Sequence, residues 1–114
     1  MGFALRVRPH DRETIVGVSG EIDLLTAGQL RHILERTIRS HCPRLVLDMS
    51  GVRFMDCAGV RSLVAVQQQA ERLGGTLRLA AVSAPVARII QLSGLQGRFG
   101  GPAAPAAAVS RTPA

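Results

Sequence analysis

The chain contains no Trp, no Tyr and only three Phe. A core built on aromatic side chains is therefore excluded, and the interior must be aliphatic and alanine-rich. A nucleic-acid face of interleaved basic and aromatic residues is excluded with it. Lysine is also missing. All 14 basic residues are Arg, giving a net charge of +6 against eight acidic residues. They are scattered without a basic run, so the charge reads as a compositional bias and predicts no direct nucleic-acid partner. Only two cysteines occur, Cys42 and Cys57, too far apart for C-x-x-C metal spacing. Two thiols and no leader-like segment predict a reduced, cytoplasmic protein. No apolar run approaches the roughly 18 residues that a spanning helix needs, so no membrane insertion is expected.

What is present suffices for one domain of 114 residues with a modest core. Phe3–Arg8 alternates apolar and charged side chains, Pro9–Arg12 has turn chemistry, and Thr14–Val18 reads as a second strand. Thr26 and Gln29 have capping-box spacing before a helix whose apolar side is Leu30, Ile33, Leu34, Thr37 and Ile38. Glu35 and Arg39 form a favourable i,i+4 pair on its outer side, and Pro43 ends it. Leu45–Met49 reads as a short strand covered on both faces, followed by a turn and the apolar pair Phe54-Met55. A helix from about Ala58 to Leu73 buries Val60, Leu63, Val64, Ala70 and Leu73, and Gly74-Gly75 stops it. Thr76–Ala80 is a strand. Ser83 then caps a last helix with Pro85 in its first turn and Val86, Ile89, Ile90 and Leu92 facing inward. An edge strand is expected near Gly97–Phe99. From Gly100 the segment GGPAAPAAAVSRTPA has almost no large apolar side chain and reads as a disordered tail. The order β-β-α-β-α-β-α predicts a mixed sheet with parallel crossovers.

The stretch with most chemistry is Asp56-Cys57-Ala58-Gly59, placed where a helix starts and unpaired N–H groups point outward. A cysteine there suits a nucleophile or redox sensor. A phosphatase-type loop would, however, need Arg at position 63, which is Leu63; Arg61 comes too soon. Asp23 and Asp56 lack a third carboxylate or a phosphate-cradling loop, so Asp56 is expected to cap the helix. His10, His32 and His41 have no second ligand at helical spacing, and neither metal nor cofactor is expected. Of Phe54 and Met55, one should face the core and the other solvent.

Five short motifs lie in register: Gly20-Glu21-Ile22-Asp23 with Thr26-Ala27; Leu45-Val46-Leu47-Asp48; Phe54-Met55-Asp56 with Gly59-Val60; Gly74-Gly75; and Ser93-Gly94-Leu95. Together they resemble the STAS family in its anti-sigma factor antagonist branch. The resemblance implies a single α/β domain over residues 1–99, a mixed β-sheet with helices packed mainly on one face, and a tail over 100–114. It also implies a non-enzymatic binding module that docks on a GHKL-type anti-sigma factor and serine/threonine kinase and thereby releases a sigma factor.

By the same resemblance, the docking surface comprises Glu21, Asp23, Thr26, Phe54, Met55, Asp56, Cys57, Ala58, Gly59 and Arg61. In that branch a Ser or Thr immediately before the motif glycine is phosphorylated to switch binding off. The matching position here is Ala58, a methyl group that accepts no phosphate. The alternative within the family is a cytosolic accessory subunit that braces the ATPase of an ABC-type lipid transporter.

Overall fold

The alternating N-terminal segment forms a hairpin. Phe3–His10 (β1) pairs antiparallel with Glu13–Ile22 (β2), from Phe3↔Gly20 through His10↔Glu13. The computed structural model describes residues 2–100, so the expected tail lies, apart from Gly100, outside the described residues. The hairpin turn is tighter than Pro9–Arg12: only Asp11 and Arg12 lie outside the strands, with Asp11 at φ 58°. Aspartate is among the few residues that visit this left-handed region readily. Gly20 also has positive φ, 104°, and a Cβ there would lie 2.4 Å from the Gly2 carbonyl oxygen. Only glycine lets β1 and β2 approach in that conformation.

Helix α1 (Ala27–Ser40) carries the chain to Arg44–Met55 (β3), α2 (Cys57–Arg72) to Thr76–Val82 (β4), and α3 (Ala84–Leu92) follows. The sheet order is β1-β2-β3-β4, with β2–β3 and β3–β4 parallel. The expected turn after Met49 does not form, and β3 continues to Met55 along β2. Register shifts between Gly17 and Ser19 and between Gly20 and Glu21 keep the two strands paired. The Ser50-Gly51 signal that suggested a turn is absorbed locally. The Ser50 N–H and hydroxyl both donate to Asp48 Oδ1, at 3.0 and 2.6 Å, within the irregular stretch.

All three helices cover one face of the sheet. Val16 and Val18 from β2, Leu45, Leu47 and Met49 from β3, and Leu77, Leu79 and Val82 from β4 form one core with Leu30, Leu34, Leu63, Val66, Val86 and Ile90. Leu45-Val46-Leu47 is buried on both faces, as expected: Leu45 and Leu47 lie in the main core, and Val46, which alternates to the opposite side, is buried outside it. Ile33, Leu73 and Leu92, expected to face inward, are exposed at 37%, 45% and 71%. Leu73 follows the last residue of α2 and Leu92 is the last of α3, so both stand where a helix ends. The outer ion pair on α1 joins Arg31 and Glu35 at 3.1 Å, in place of Glu35 and Arg39.

The edge strand expected at Gly97–Phe99 is also corrected: residues 96–99 form turns. This segment is nevertheless anchored. The Phe99 ring is buried, and its carbonyl accepts from Leu79 N–H at 3.2 Å. Gln67 holds its neighbour through two bonds, donating to the Arg98 carbonyl at 2.9 Å and accepting from Arg98 Nε at 2.8 Å. One backbone bond to β4 suffices to seat an aromatic ring but does not make a ladder. Burial sets the expected stability effects: Leu47→Ala should cost about 2–5 kcal/mol in chemical denaturation. Leu73→Ala, at an exposed site, should stay within about 0.5 kcal/mol.

Candidate functional site

Two loops leave the sheet side by side because β2 and β3 are parallel and end together. Glu21 pairs with Phe54 and Ile22 with Met55, and Asp56 N–H donates to the Ile22 carbonyl at 3.2 Å. Beyond this point one chain enters the 23–26 loop and α1, while the other enters α2 directly. The helices are then tied behind the loops: the buried Ser62 hydroxyl of α2 donates to the Ala27 carbonyl of α1 at 3.0 Å. Arg53 and Glu21 face each other across the strands at 3.8 Å, largely exposed, so the pair contributes little to stability.

The first loop has a cap different from the expected one. Thr26 makes no side-chain bond to the helix it precedes, and Gln29 does not reach back to it. Instead, the reciprocal box lies three residues earlier. Asp23 Oδ1 accepts from Thr26 N–H at 3.1 Å and Leu25 N–H at 3.0 Å, and Thr26 Oγ1 accepts from Asp23 N–H at 2.9 Å. Ala27 N–H donates to the Asp23 carbonyl at 2.8 Å, which is already a helical bond. Asp23 thus caps an extra turn ahead of α1. The Thr26 N–H holds the Asp23 carboxyl below its ordinary pKa of 3.8; partial desolvation opposes this, and the Thr26 hydroxyl and Leu25 N–H add to the lowering.

At the second loop Asp56 caps α2, its Oδ1 accepting from Ala58 N–H at 2.9 Å and Gly59 N–H at 3.4 Å. Gly59 is dictated by space. A Cβ on it would stand 2.5 Å from Met55 Cγ and 3.0 Å from Ile22 Cγ2. The first turn of α2 therefore sits directly on the ends of β2 and β3. Met55 faces inward and Phe54 outward, 4% and 48% exposed. Cys57 is exposed, Ala58 is half-buried against the core, and Arg61 is exposed one turn along.

The structure thus gathers the residues from Glu21 to Thr26 and from Phe54 to Arg61 at one end of the sheet, where the two central strands stop. The sequence reading missed Leu24 and Leu25, which are 73% and 85% exposed on the turn that Asp23 caps. The signal was available, since two adjacent leucines fit no helical or strand period there. It missed, too, a mostly apolar groove of about 560 Å³ running from Cys57 along Val60, Arg61, Val64 and Gln68 to Leu95. Among the described residues no three His, Cys, Asp or Glu side chains converge as metal ligands.

Two measurements test these local roles. Because its folded pKa is depressed, the Asp23 carboxylate stabilises the loop at pH values above 3.8, and that contribution disappears as pH falls through the lowered folded value. Asp23→Asn should therefore flatten the acid limb of the thermal midpoint against pH, with its largest difference from wild type above pH 3.8. At Gly59, where a side chain meets Met55 and Ile22, Gly59→Val should destabilise by about 2 kcal/mol or more in denaturant titration.

The STAS domain model matches residues 4–108. The anti-sigma F factor antagonist of Paenibacillus polymyxa is 29% identical over 96 residues, which is 83% of this chain and 82% of that protein. The anti-sigma-F factor antagonist RsfB of Mycobacterium tuberculosis is 30% identical over 99 residues, covering 85% and 79%. Among solved structures, an anti-sigma factor antagonist from Mycobacterium paratuberculosis superposes with a TM-score of 0.77 at 31% identity, covering 88% of this chain and 85% of that one. The four-stranded mixed sheet with its three helices is that of a STAS domain, and the chain belongs to that family.

Proposed function

We propose that this chain is an anti-sigma factor antagonist that works by binding alone. Its edge loops dock on a GHKL-type anti-sigma factor and serine/threonine kinase in the cytoplasm, and the sigma factor held by that partner is released. The observation that carries this reading is the convergence of the Asp23–Thr26 turn with the Asp56–Arg61 helix start, in a chain whose relatives bear the antagonist name. Leu24, Leu25 and Phe54 supply exposed apolar anchors around this edge. Large apolar side chains left in water are costly unless a partner covers them. Glu21 and Arg61 flank them as charges able to fix orientation. Asp23 and Asp56 act through shape: each spends its carboxylate on its own turn, which presents the anchors in one conformation.

Competition accounts for release, since a partner that binds this protein and the sigma factor at overlapping positions cannot hold both well. The switch is where this chain departs from its branch. A phosphate adds about −1.5 to −2 charges and would crowd a docking edge of this kind. Ala58 has no hydroxyl to carry it, and Cys57 offers a thiol, which serine/threonine kinases do not use. The module accordingly stays in its binding-competent state, and its control lies in abundance or in the partner.

The test is affinity capture from native cells with mass spectrometry, followed by binding assays with the captured kinase. Leu24→Ala combined with Leu25→Ala should weaken that binding by about tenfold or more with little change in stability. Ala58→Ser should become phosphorylated by the partner, while wild type carries no phosphate at residue 58. Recovery of a membrane-bound transporter ATPase in place of a soluble kinase would replace this reading with the transporter one.

A further inference from the structure

The face of the sheet turned away from the helices presents a cationic furrow, separate from the docking edge. Arg6 stands opposite Gly17 and Arg8 opposite Ile15 on the hairpin, and Gly17 stands beside Asp48 on β3. Arg6, Arg8, Ile15, Gly17 and Asp48 line a concavity of about 460 Å³. Neither Arg6 nor Arg8 has an acidic partner among the described residues. Asp48, the acidic member, already accepts two bonds from Ser50.

Gly17 is the second observation. A glycine inside a strand weakens it and commonly marks a bulge or the close approach of a ligand or another backbone. The register with β3 shifts between Gly17 and Ser19, and a Cβ at position 17, where φ is not positive, would meet only Arg6 Cβ, at an ordinary 4.0 Å. The missing side chain leaves the furrow open beside Arg6. On this basis we propose that the furrow binds an extended acidic segment of another protein, laid over Gly17, with carboxylates at alternate positions on Arg6 and Arg8.

The spacing fits. Alternate residues of one strand repeat every ~6.6–7 Å, so carboxylates at i and i+2 of an extended segment match guanidinium groups at i and i+2 of β1. Apolar side chains of such a segment would rest against Ile15. A second copy of this chain is a poor occupant, because it would bring Arg6 and Arg8 against their own kind. Nucleic acid is disfavoured because the floor offers aliphatic side chains and no aromatic ring on which bases stack.

The test uses the full chain and a fluorescein-labelled peptide of alternating Glu and Val, with the alternating Lys-Val peptide as sign control. The expected result is binding of the Glu-Val peptide alone, weakening as salt rises. Arg6→Ala with Arg8→Ala should weaken it about tenfold, and Gly17→Val should do the same by filling the furrow. Gly17→Val must at the same time keep a cooperative thermal transition like that of wild type, so that its loss of binding reports filling of the furrow and not unfolding. Equal binding by wild type and both variants would overturn the proposal. So would equal or tighter binding of a single-stranded oligothymidine or of phosphatidylserine vesicles, which would show a general anion surface. The anti-sigma partner plays no part in the assay, so its outcome is independent of the docking edge.

Discussion

The site depends on one constraint: β2 and β3 run parallel and terminate together, with the first turn of α2 resting on their ends. The contact tolerates no side chain at residue 59, because Met55 and Ile22 already occupy the space. From it follow the position of Asp56, which bonds back to Ile22, and the direction of α2, whose Ser62 then reaches Ala27. Two loops far apart in sequence are thus fixed relative to each other by backbone pairing and van der Waals contact, with almost no help from charge. The ion pair across them, Arg53 with Glu21, is long and wet.

Within that frame the two aspartates have comparable tasks. Each sits at the start of a helical turn and satisfies N–H groups that would otherwise point unpaired into solvent. The difference lies in what each turn displays. The turn capped by Asp56 shows Cys57 and a half-buried methyl at Ala58, whereas the turn capped by Asp23 shows two leucines almost wholly to water. Apolar surface is therefore richest on the loop where the sequence motifs drew attention to a carboxylate. Asp23 organises this surface, and the leucines supply its area.

The element order and the parallel crossovers were legible because they rest on periodicity and on residues with single purposes: Gly20, Pro43, Ser83 and the capping Asp56. What was not legible depends on partners distant in sequence. Ser50-Gly51 carries turn chemistry, yet β2 offers a ladder there and Asp48 absorbs the local bonding demand, so the strand runs on. Thr26 and Gln29 match a capping box, but Asp23 competes for the same hydroxyl and prevails with two further N–H bonds. Leu73 and Leu92 fit the helical period, yet each falls where its helix ends and stays exposed. Phe99 belonged to no period at all and was placed by Gln67 and β4.

The arginines illustrate the same limit. Along the chain they are dispersed, which argues against a charged function, but strand pairing converts sequence distance into proximity. Arg6 and Arg8 stand beside a gap at Gly17. On the helix-covered face, by contrast, the strands contribute Val16, Leu47 and Leu79. A single sheet in this way separates its chemistry into a dry side that builds the domain and a cationic side that no helix covers. The proposed docking surface lies at the ends of β2 and β3, where both sides meet. A partner at the strand ends and a segment on the open face would therefore contact different residues of one sheet.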